Sequence, residues 1–331
     1  MQTIMMIMDK KPSANADELG RKLQEKLRHE RPRWIRWMPL VAIVLFATLL
    51  LLAWVLYPAP DPPRVTATAL DALVAANEPA NVRAYLDPVD ADVKPVSLAG
   101  LEAIFSIDKG AGAADDSPRV KAVTDEHGQA TATLDPEGAA KSIIQVRQTA
   151  PSKKQDSPTS RAALHMLAKD KPLLLVDVEE TLADLDPNLW TKTNPLNIAP
   201  RPGAIAALRE AQLRHKLTIV YLAVGNVPAK EYRRVQGWIR LKAAEPKGLP
   251  DGPVLGRLQY HTGDVAEARQ ALLEDVSDRF TGPMTAVVRT AESAEQCLAL
   301  KIRPIAMGGG DFPEKVTRIK GWDELPAALG K

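Results

Sequence analysis

The sequence predicts a multidomain chain with a single transmembrane helix, an all-β sandwich and an α/β domain built on a doubly wound parallel sheet. The first part rests on residues 38–57, which are apolar and carry no charged side chain. The second rests on residues 65–150, where short runs of alternating polar and apolar residues are separated by turn residues. The third rests on residues 165–331, where apolar strand patterns alternate with helical patterns. A chain of 331 residues has room for two ordinary domains beside a membrane anchor.

The overall composition excludes several classes of protein. The formal net charge is +2, whereas a surface that follows nucleic-acid phosphates carries a large basic excess, so no nucleic-acid partner is expected. The single cysteine, Cys297, excludes an internal disulfide framework and a thiolate zinc site. The five histidines are scattered and do not occur at metal-binding spacings.

The amino-terminal part predicts a membrane anchor. Residues 1–37 form a basic segment, and residues 38–57 have the length and composition of a transmembrane helix, with the lipid bilayer as partner. Trp37, Trp54 and Tyr57 lie where aromatic side chains meet the membrane interface. Because basic residues crowd the amino-terminal side, the positive-inside rule predicts a single-pass membrane protein with a cytoplasmic amino terminus. The following domains would then be extracytoplasmic, and periplasmic in a bacterium.

A spacer, a β-domain and a linker are predicted next. Residues 58–64 are a proline-rich spacer, and residues 151–164 are a polar, proline-punctuated linker. Between them, residues 65–150 predict an antiparallel sandwich. The turn and outgoing strand at 124–134, Thr-Asp-Glu-His-Gly-Gln-Ala-Thr-Ala-Thr-Leu, resemble bacterial immunoglobulin-like domains of the invasin type. This resemblance implies a spacer or a binding surface.

The centre of the predicted α/β domain, residues 165–331, is the strand Leu173–Asp177. Its continuous apolar run is typical of a strand that is covered on both faces in a parallel sheet. Three acidic residues lie at its carboxyl end: Asp177, Glu179 and Glu180. Ligands bind at this edge of an open α/β sheet, so the acids indicate Mg²⁺ and phosphate chemistry.

Phosphoryl transfer through an aspartate requires a nucleophilic carboxylate, a metal that offsets charge repulsion, an acid and donors that hold the phosphate. Residues 174–182, Leu-Leu-Val-Asp-Val-Glu-Glu-Thr-Leu, resemble the first motif of the haloacid dehalogenase superfamily, which is Asp-x-Asp-x-Thr after a buried strand. Residues 201–204, Arg-Pro-Gly-Ala, and 248–255, Gly-Leu-Pro-Asp-Gly-Pro-Val-Leu, are similar to its lipin-like phosphatidate phosphatase branch. The resemblance implies a haloacid dehalogenase-like fold and a Mg²⁺-dependent phosphatase that acts on phosphoric monoesters or lipid phosphates.

The resemblance also implies roles for individual residues. Asp177 stands at the nucleophile position, and Glu179 stands at the acid–base position. Arg269 and Asn226 are the candidates for binding phosphate, and Asp177 and Glu292 are the candidates for holding Mg²⁺. An active protein would therefore use Mg²⁺ as its cofactor, whereas a silent relative would use none.

Three positions depart from the pattern of that family. Glu179 replaces an aspartate and adds a methylene, Ala223 replaces a hydroxyl-bearing residue, and Arg289 stands where a metal ligand belongs. These changes weaken metal or phosphate binding, and a displacement of about 1 Å can cost on the order of a hundredfold in rate. We expect Arg289 to form an ion pair with Asp177, so that a fixed protein charge replaces the metal.

Three functions follow from these observations. The first is a membrane-anchored extracytoplasmic protein whose degenerate α/β domain is catalytically silent and binds a ligand or a protein. The alternative is a Mg²⁺-dependent phosphohydrolase with an aspartyl-phosphate intermediate at Asp177. The second alternative is a structural or adhesive ectodomain. The expected partner beyond the bilayer is an unknown protein or a phosphate-bearing ligand.

Overall fold

The structure is a computed structural model. It describes residues 14–29, 37–56, 65–88, 98–108, 118–136, 141–148, 159–186, 189–190, 192–224, 229–256 and 265–330. The chain divides into two compact units, Met1–Pro62 and Pro63–Lys331. The candidate site lies in the second unit.

Two helices are described in the first unit, α1 (Ala14–His29) and α2 (Met38–Leu56). Within the described part of the chain, we find no helix that combines the length and the apolar character needed to cross a membrane. The predicted transmembrane helix at 38–57 is therefore wrong. The single-pass localisation, with a cytoplasmic amino terminus and extracytoplasmic domains, is wrong with it.

The second unit begins with two sheets that share one hydrophobic core. The smaller sheet is antiparallel and consists, in spatial order, of β1 (Val65–Ala69), β3 (Ala80–Pro88) and β6 (Gln129–Leu134). The larger sheet consists, in spatial order, of β2 (Ala72–Ala75), β8 (Thr159–Leu167), β7 (Lys141–Gln148), β4 (Glu102–Asp108) and β5 (Arg119–Val123). Buried side chains from both sheets, including Val82 and Phe105, form the shared core.

The predicted immunoglobulin-like sandwich of antiparallel sheets is wrong. β2 and β8 run parallel, with Ala72 opposite Leu164, so the five-stranded sheet is mixed. β8 also covers the end of the predicted linker, residues 151–164, and continues beyond it. Its polar start has the composition of a linker, but Ala162 and Leu164 are buried in the shared core. β8 pairs with the preceding strand β7 and also with β2, and the pairing with β2 is distant in sequence, so a local pattern does not reveal it.

The predicted parallel sheet of the α/β region is confirmed. Its central strand β9 (Leu173–Asp177) pairs in parallel with β10 (Thr218–Ala223) and β12 (Met284–Val288). The remaining strands are β11 (Val254–Gly256), β13 (Arg303–Met307) and β14 (Thr317–Ile319), in the order β11-β10-β9-β12-β13-β14. The helices are α3 (Ala204–Leu213), α4 (Ala229–Ala244), α5 (Val265–Arg279), α6 (Ala291–Ala299) and α7 (Leu325–Leu329).

Helices cover both faces of this sheet. Leu174 and Val176 of β9 pack in one apolar cluster with residues of α3 and α4. Leu173 and Leu175 pack in another cluster with residues of α5 and α6. Burial on both faces explains why β9 is continuously apolar, and it leaves the carboxyl end of the strand as the place where polar side chains collect.

Asp71, which lies between β1 and β2, joins the β-sheets to the α/β sheet. Its Oδ1 accepts hydrogen bonds from the Ala163 amide at 2.7 Å, Gln236 Nε2 at 2.8 Å and Arg240 Nη2 at 3.0 Å. Its Oδ2 accepts a hydrogen bond from the Val254 amide at 3.1 Å. This buried carboxylate therefore contacts β8, α4 and β11 at once, which is consistent with a single compact unit.

Candidate functional site

A tight turn at the end of β9 positions the candidate site. Residues Val178–Leu182 form a single π-helical turn, and Asp177 caps it because its Oδ1 accepts the Glu180 amide at 2.9 Å. Thr181 Oγ1 donates to the Asp177 carbonyl oxygen at 2.5 Å. Trp322 Nε1 in turn donates to the Thr181 carbonyl oxygen at 3.0 Å. These bonds fix the direction in which the Asp177 carboxylate points, and π-helical turns are frequent at functional sites.

Arg269 of α5 forms a buried ion pair with two of the predicted acids. Its Nη2 lies 3.2 Å from Asp177 Oδ2 and 2.5 Å from Glu180 Oε1. The side chains of Arg269, Asp177 and Glu180 are 5%, 6% and 22% exposed, so water screens the interaction poorly. Both contacts are made by Nη2, whose two N–H donors serve the two carboxylates at once.

Arg269, Asp177 and Glu180 form what we call the Arg269 cluster. Its pKa values are set by burial and by the presence of two carboxylates beside one guanidinium group. Burial raises the pKa of Asp177 to about 6, the positive charge of Arg269 opposes that rise, and the nearby Glu180 adds to it. Burial by itself lowers the pKa of Arg269, but Asp177 and Glu180 outweigh this effect and raise the pKa above its ordinary value. Two carboxylates and one guanidinium thus hold a compact, locked group of charges.

Glu179, the predicted acid–base residue, is buried and attached to the neighbouring strand. Its Oε2 accepts a hydrogen bond from the Val224 amide at 3.2 Å, directly after the end of β10. Ala223, at the last position of β10, is also buried and offers no side-chain donor to a phosphate. The carboxylate of Glu179 therefore takes part in joining the ends of two central strands.

Arg289 does not occupy the place that the sequence analysis gave it. It follows β12, its side chain is exposed, and its Nη1 donates to the Glu180 carbonyl oxygen at 3.3 Å. Among the described residues, Arg269 forms the ion pair with Asp177, and Arg289 does not. The sequence did contain a signal for this arrangement. Arg269 shares one face of α5 with the buried residues Leu272, Leu273 and Val276, a spacing that directs its side chain inward.

The residues at the site do not fit a Mg²⁺ ion. Within the described ranges, no group of three or more histidine, cysteine, aspartate or glutamate residues could hold a metal. Asp177 already accepts one hydrogen bond at each carboxylate oxygen, and Arg269 places a positive charge where a cation would bind. Glu292 is exposed in the first turn of α6. Asn226, the other predicted phosphate-binding residue, lies outside the described residues.

Comparisons with known proteins give only distant similarities. No protein-family model and no curated protein match the chain. A D,D-heptose 1,7-bisphosphate phosphatase from B. bronchiseptica, solved with magnesium and phosphate, is 13% identical, with a TM-score of 0.38. This match covers 48% of the present chain and 97% of the phosphatase.

Two further solved structures are carbohydrate-active enzymes. A cycloisomaltooligosaccharide glucanotransferase from Paenibacillus sp. is 10% identical, with a TM-score of 0.26, over 69% of this chain and 28% of its own. A 2,6-sialyltransferase from Photobacterium sp. JT-ISH-224 is also 10% identical, with a TM-score of 0.18, over 72% of this chain and 41% of its own. Similarities at this level establish neither a family nor an activity, so the functional argument rests on the site itself.

Proposed function

We propose that the α/β region is a catalytically silent relative of the haloacid dehalogenase-type phosphohydrolases and that it binds a phosphate-bearing or protein ligand. The observation that carries the proposal is the buried ion pair between Arg269 and the carboxylates of Asp177 and Glu180. The residue at the nucleophile position is engaged by protein charge in this arrangement. The resemblance suggested a catalytic centre, and the ion pair suggests why this centre is inactive.

Arg269 and a phosphoryl group would compete for the carboxylate of Asp177. An aspartate attacks a phosphoryl group only when its oxygen is free to approach phosphorus and when a cation offsets the repulsion between the two anions. Arg269 supplies a cation, but it does so by binding Oδ2 of the Asp177 carboxylate, whose Oδ1 already accepts the Glu180 amide. Displacing it would leave a guanidinium group and a carboxylate buried without their partners, which is strongly unfavourable.

The alternative, a Mg²⁺-dependent phosphohydrolase, retains one supporting observation. Asp177 lies at the carboxyl end of the central strand, where open α/β sheets bind their ligands. A nucleophile and its substrate would meet at that position if Arg269 moved. One assay separates the two functions.

The assay is hydrolysis of p-nitrophenyl phosphate by the full-length chain, with Mg²⁺ and with a chelator. We expect no release of p-nitrophenol above the protein-free blank in either condition, for the wild-type chain and for Asp177→Asn. Adding Mg²⁺ to samples that already contain phosphate should give no further thermal stabilisation of the wild-type protein. Mg²⁺-dependent turnover that disappears in Asp177→Asn would refute the silent relative and establish the enzyme.

A further inference from the structure

An open pocket lies beside α3, and its lining contains no residue of the Arg269 cluster among those described. Its volume is about 580 Å³, which is within the range of sites that hold small organic molecules. Its lining includes Pro200, Arg201, Pro202, Ile205, Arg209 and Lys247. They come from the segment before α3, from α3 itself and from the turn that precedes β11.

Positive charge dominates this pocket. Three cationic side chains line it, Arg201, Arg209 and Lys247, and none of the described residues that line it is acidic. Arg201 has a distant acidic partner, since its Nη1 lies 3.6 Å from Asp184 Oδ1, and its buried Nε has no hydrogen-bond partner. Within the described residues, Arg209 Nη1 makes one long contact of 3.4 Å to the Gly248 carbonyl oxygen. A cluster of cations that is only partly compensated, in a concave surface, attracts anions.

Lys247 is presented by a rigid turn. Its φ angle of 61° is left-handed, and the Gly248 amide donates to the Glu245 carbonyl oxygen at 2.8 Å. A Cβ atom on Gly248 would lie 1.9 Å from the Lys242 carbonyl oxygen, so no other residue fits there. The turn therefore fixes the backbone of Lys247 opposite Arg209, and a ligand does not have to order that loop when it binds.

The pocket also has an apolar side next to its cations. Pro200, Pro202 and Ile205 contribute hydrocarbon surface next to the cations. A ligand that matches both parts has an anionic group at one end and an apolar group at the other. Arginine and lysine side chains are well suited to a phosphate, which accepts several charged hydrogen bonds.

We infer that this pocket binds a small organic phosphate monoester, with the phosphate at Arg209 and Lys247 and the apolar group on Ile205 and the prolines. The inference deepens the proposed binding function by naming a ligand class and a place for it. It uses no residue of the Arg269 cluster. An experiment can therefore refute the ligand pocket without refuting the absence of catalysis at Asp177, and the reverse.

The test is calorimetric titration of the full-length chain with phenyl phosphate in the presence of a chelator. We expect saturable binding that weakens at least about tenfold in Arg209→Gln/Lys247→Gln, because two charged donors are lost. Ala206→Trp, which fills the pocket without changing its charge, should weaken binding as well. Inorganic phosphate and phenol, which each lack one part of the ligand, should bind more weakly than phenyl phosphate.

The matched control is Arg214→Gln/Lys315→Gln, which removes the same charge from exposed positions outside the pocket. It should bind phenyl phosphate like the wild-type protein, and circular dichroism should confirm that all variants are folded. No saturable binding, equal loss in the control, or unchanged binding in both pocket variants would overturn the inference. Release of phenol from the same samples with Mg²⁺ would instead refute the silent relative and leave the pocket standing.

Discussion

Arg269 is the central residue of the candidate site because it pairs with both Asp177 and Glu180. A buried arginine needs acidic partners, because an unpaired charge in the interior costs several kcal/mol. Asp177 and Glu180 are those partners, and the turn after β9 brings both carboxylates to the same guanidinium. The cluster has a stabilising role that does not require catalysis.

Replacing Arg269 with glutamine should strongly destabilise the protein. The variant leaves Asp177 and Glu180 without a counter-charge, and breaking a buried ion pair typically costs about 3–5 kcal/mol in the free energy of unfolding. Without the guanidinium the pKa of Asp177 should rise further, so native Asp177 takes up a proton more readily than unfolded Asp177 does. The deficit should therefore shrink as the pH falls from about 7 to about 5, as measured by urea denaturation.

Arg289→Gln is the control for this variant. Arg289 is exposed and donates only to a backbone carbonyl oxygen in the described structure, so its replacement should change the free energy of unfolding by no more than about 0.5–1 kcal/mol. Equal effects of the two substitutions would contradict the assignment of Arg269 as the buried partner of Asp177.

At the scale of elements, the π-helical turn is held from two sides. Asp177 and Thr181 fasten it to the end of β9, and Trp322, in a short 3₁₀ turn before α7, fastens it from the other side. The indole of Trp322 is buried, and its single donor is aimed at the Thr181 carbonyl oxygen. The carboxyl-terminal end of the domain thus takes part in shaping the candidate site.

Trp322→Phe should test this role because it keeps an aromatic ring and removes the donor. The Thr181 carbonyl oxygen would lose a buried hydrogen bond, at a cost of about 1–3 kcal/mol in the free energy of unfolding. Trp190→Phe is a matched control, since Trp190 is also buried but its Nε1 has no hydrogen-bond partner among the described residues. If urea denaturation shows the same loss for both variants, the hydrogen bond of Trp322 does not stabilise the turn.

The elements that the sequence predicted well are those with local signals. The apolar run of β9 and the alternation of strands and helices after it were enough to predict the parallel sheet, because burial on two faces leaves a continuous pattern. β8 was missed because its pairing with β2 joins residues far apart in the chain. Arg269 and Arg289 were both noticed, but only the direction of α5 shows which of them reaches Asp177.

At the scale of the whole molecule, the β-sheets and the α/β region are joined through polar contacts as well as apolar ones. Asp71 accepts hydrogen bonds from three parts of the structure, and its own amide donates to Tyr232 Oη at 2.9 Å. Tyr232 Oη then donates to the Val254 carbonyl oxygen at 2.6 Å. Losing one member of a buried polar network is costly. Substitutions at this junction should therefore lower the free energy of unfolding of the whole unit Pro63–Lys331.

His165 of β8 lies at the same junction and should make stability depend on pH. It is buried opposite Lys141 of β7. Burial is the largest influence and lowers the pKa of His165, and the positive charges of Lys141 and Arg240 lower it further. The negative charges of Asp71 and Asp251 oppose this decrease. Because unfolded His165 binds a proton more readily than native His165, its contribution is present above about pH 6.5 and is lost as the pH falls through the lower, native pKa. His165→Gln should therefore flatten the fall in the free energy of unfolding below about pH 6.5, as measured by urea denaturation at several pH values. The exposed His127→Gln should leave the wild-type slope unchanged, and an equal slope in both variants would show that His165 does not control this dependence.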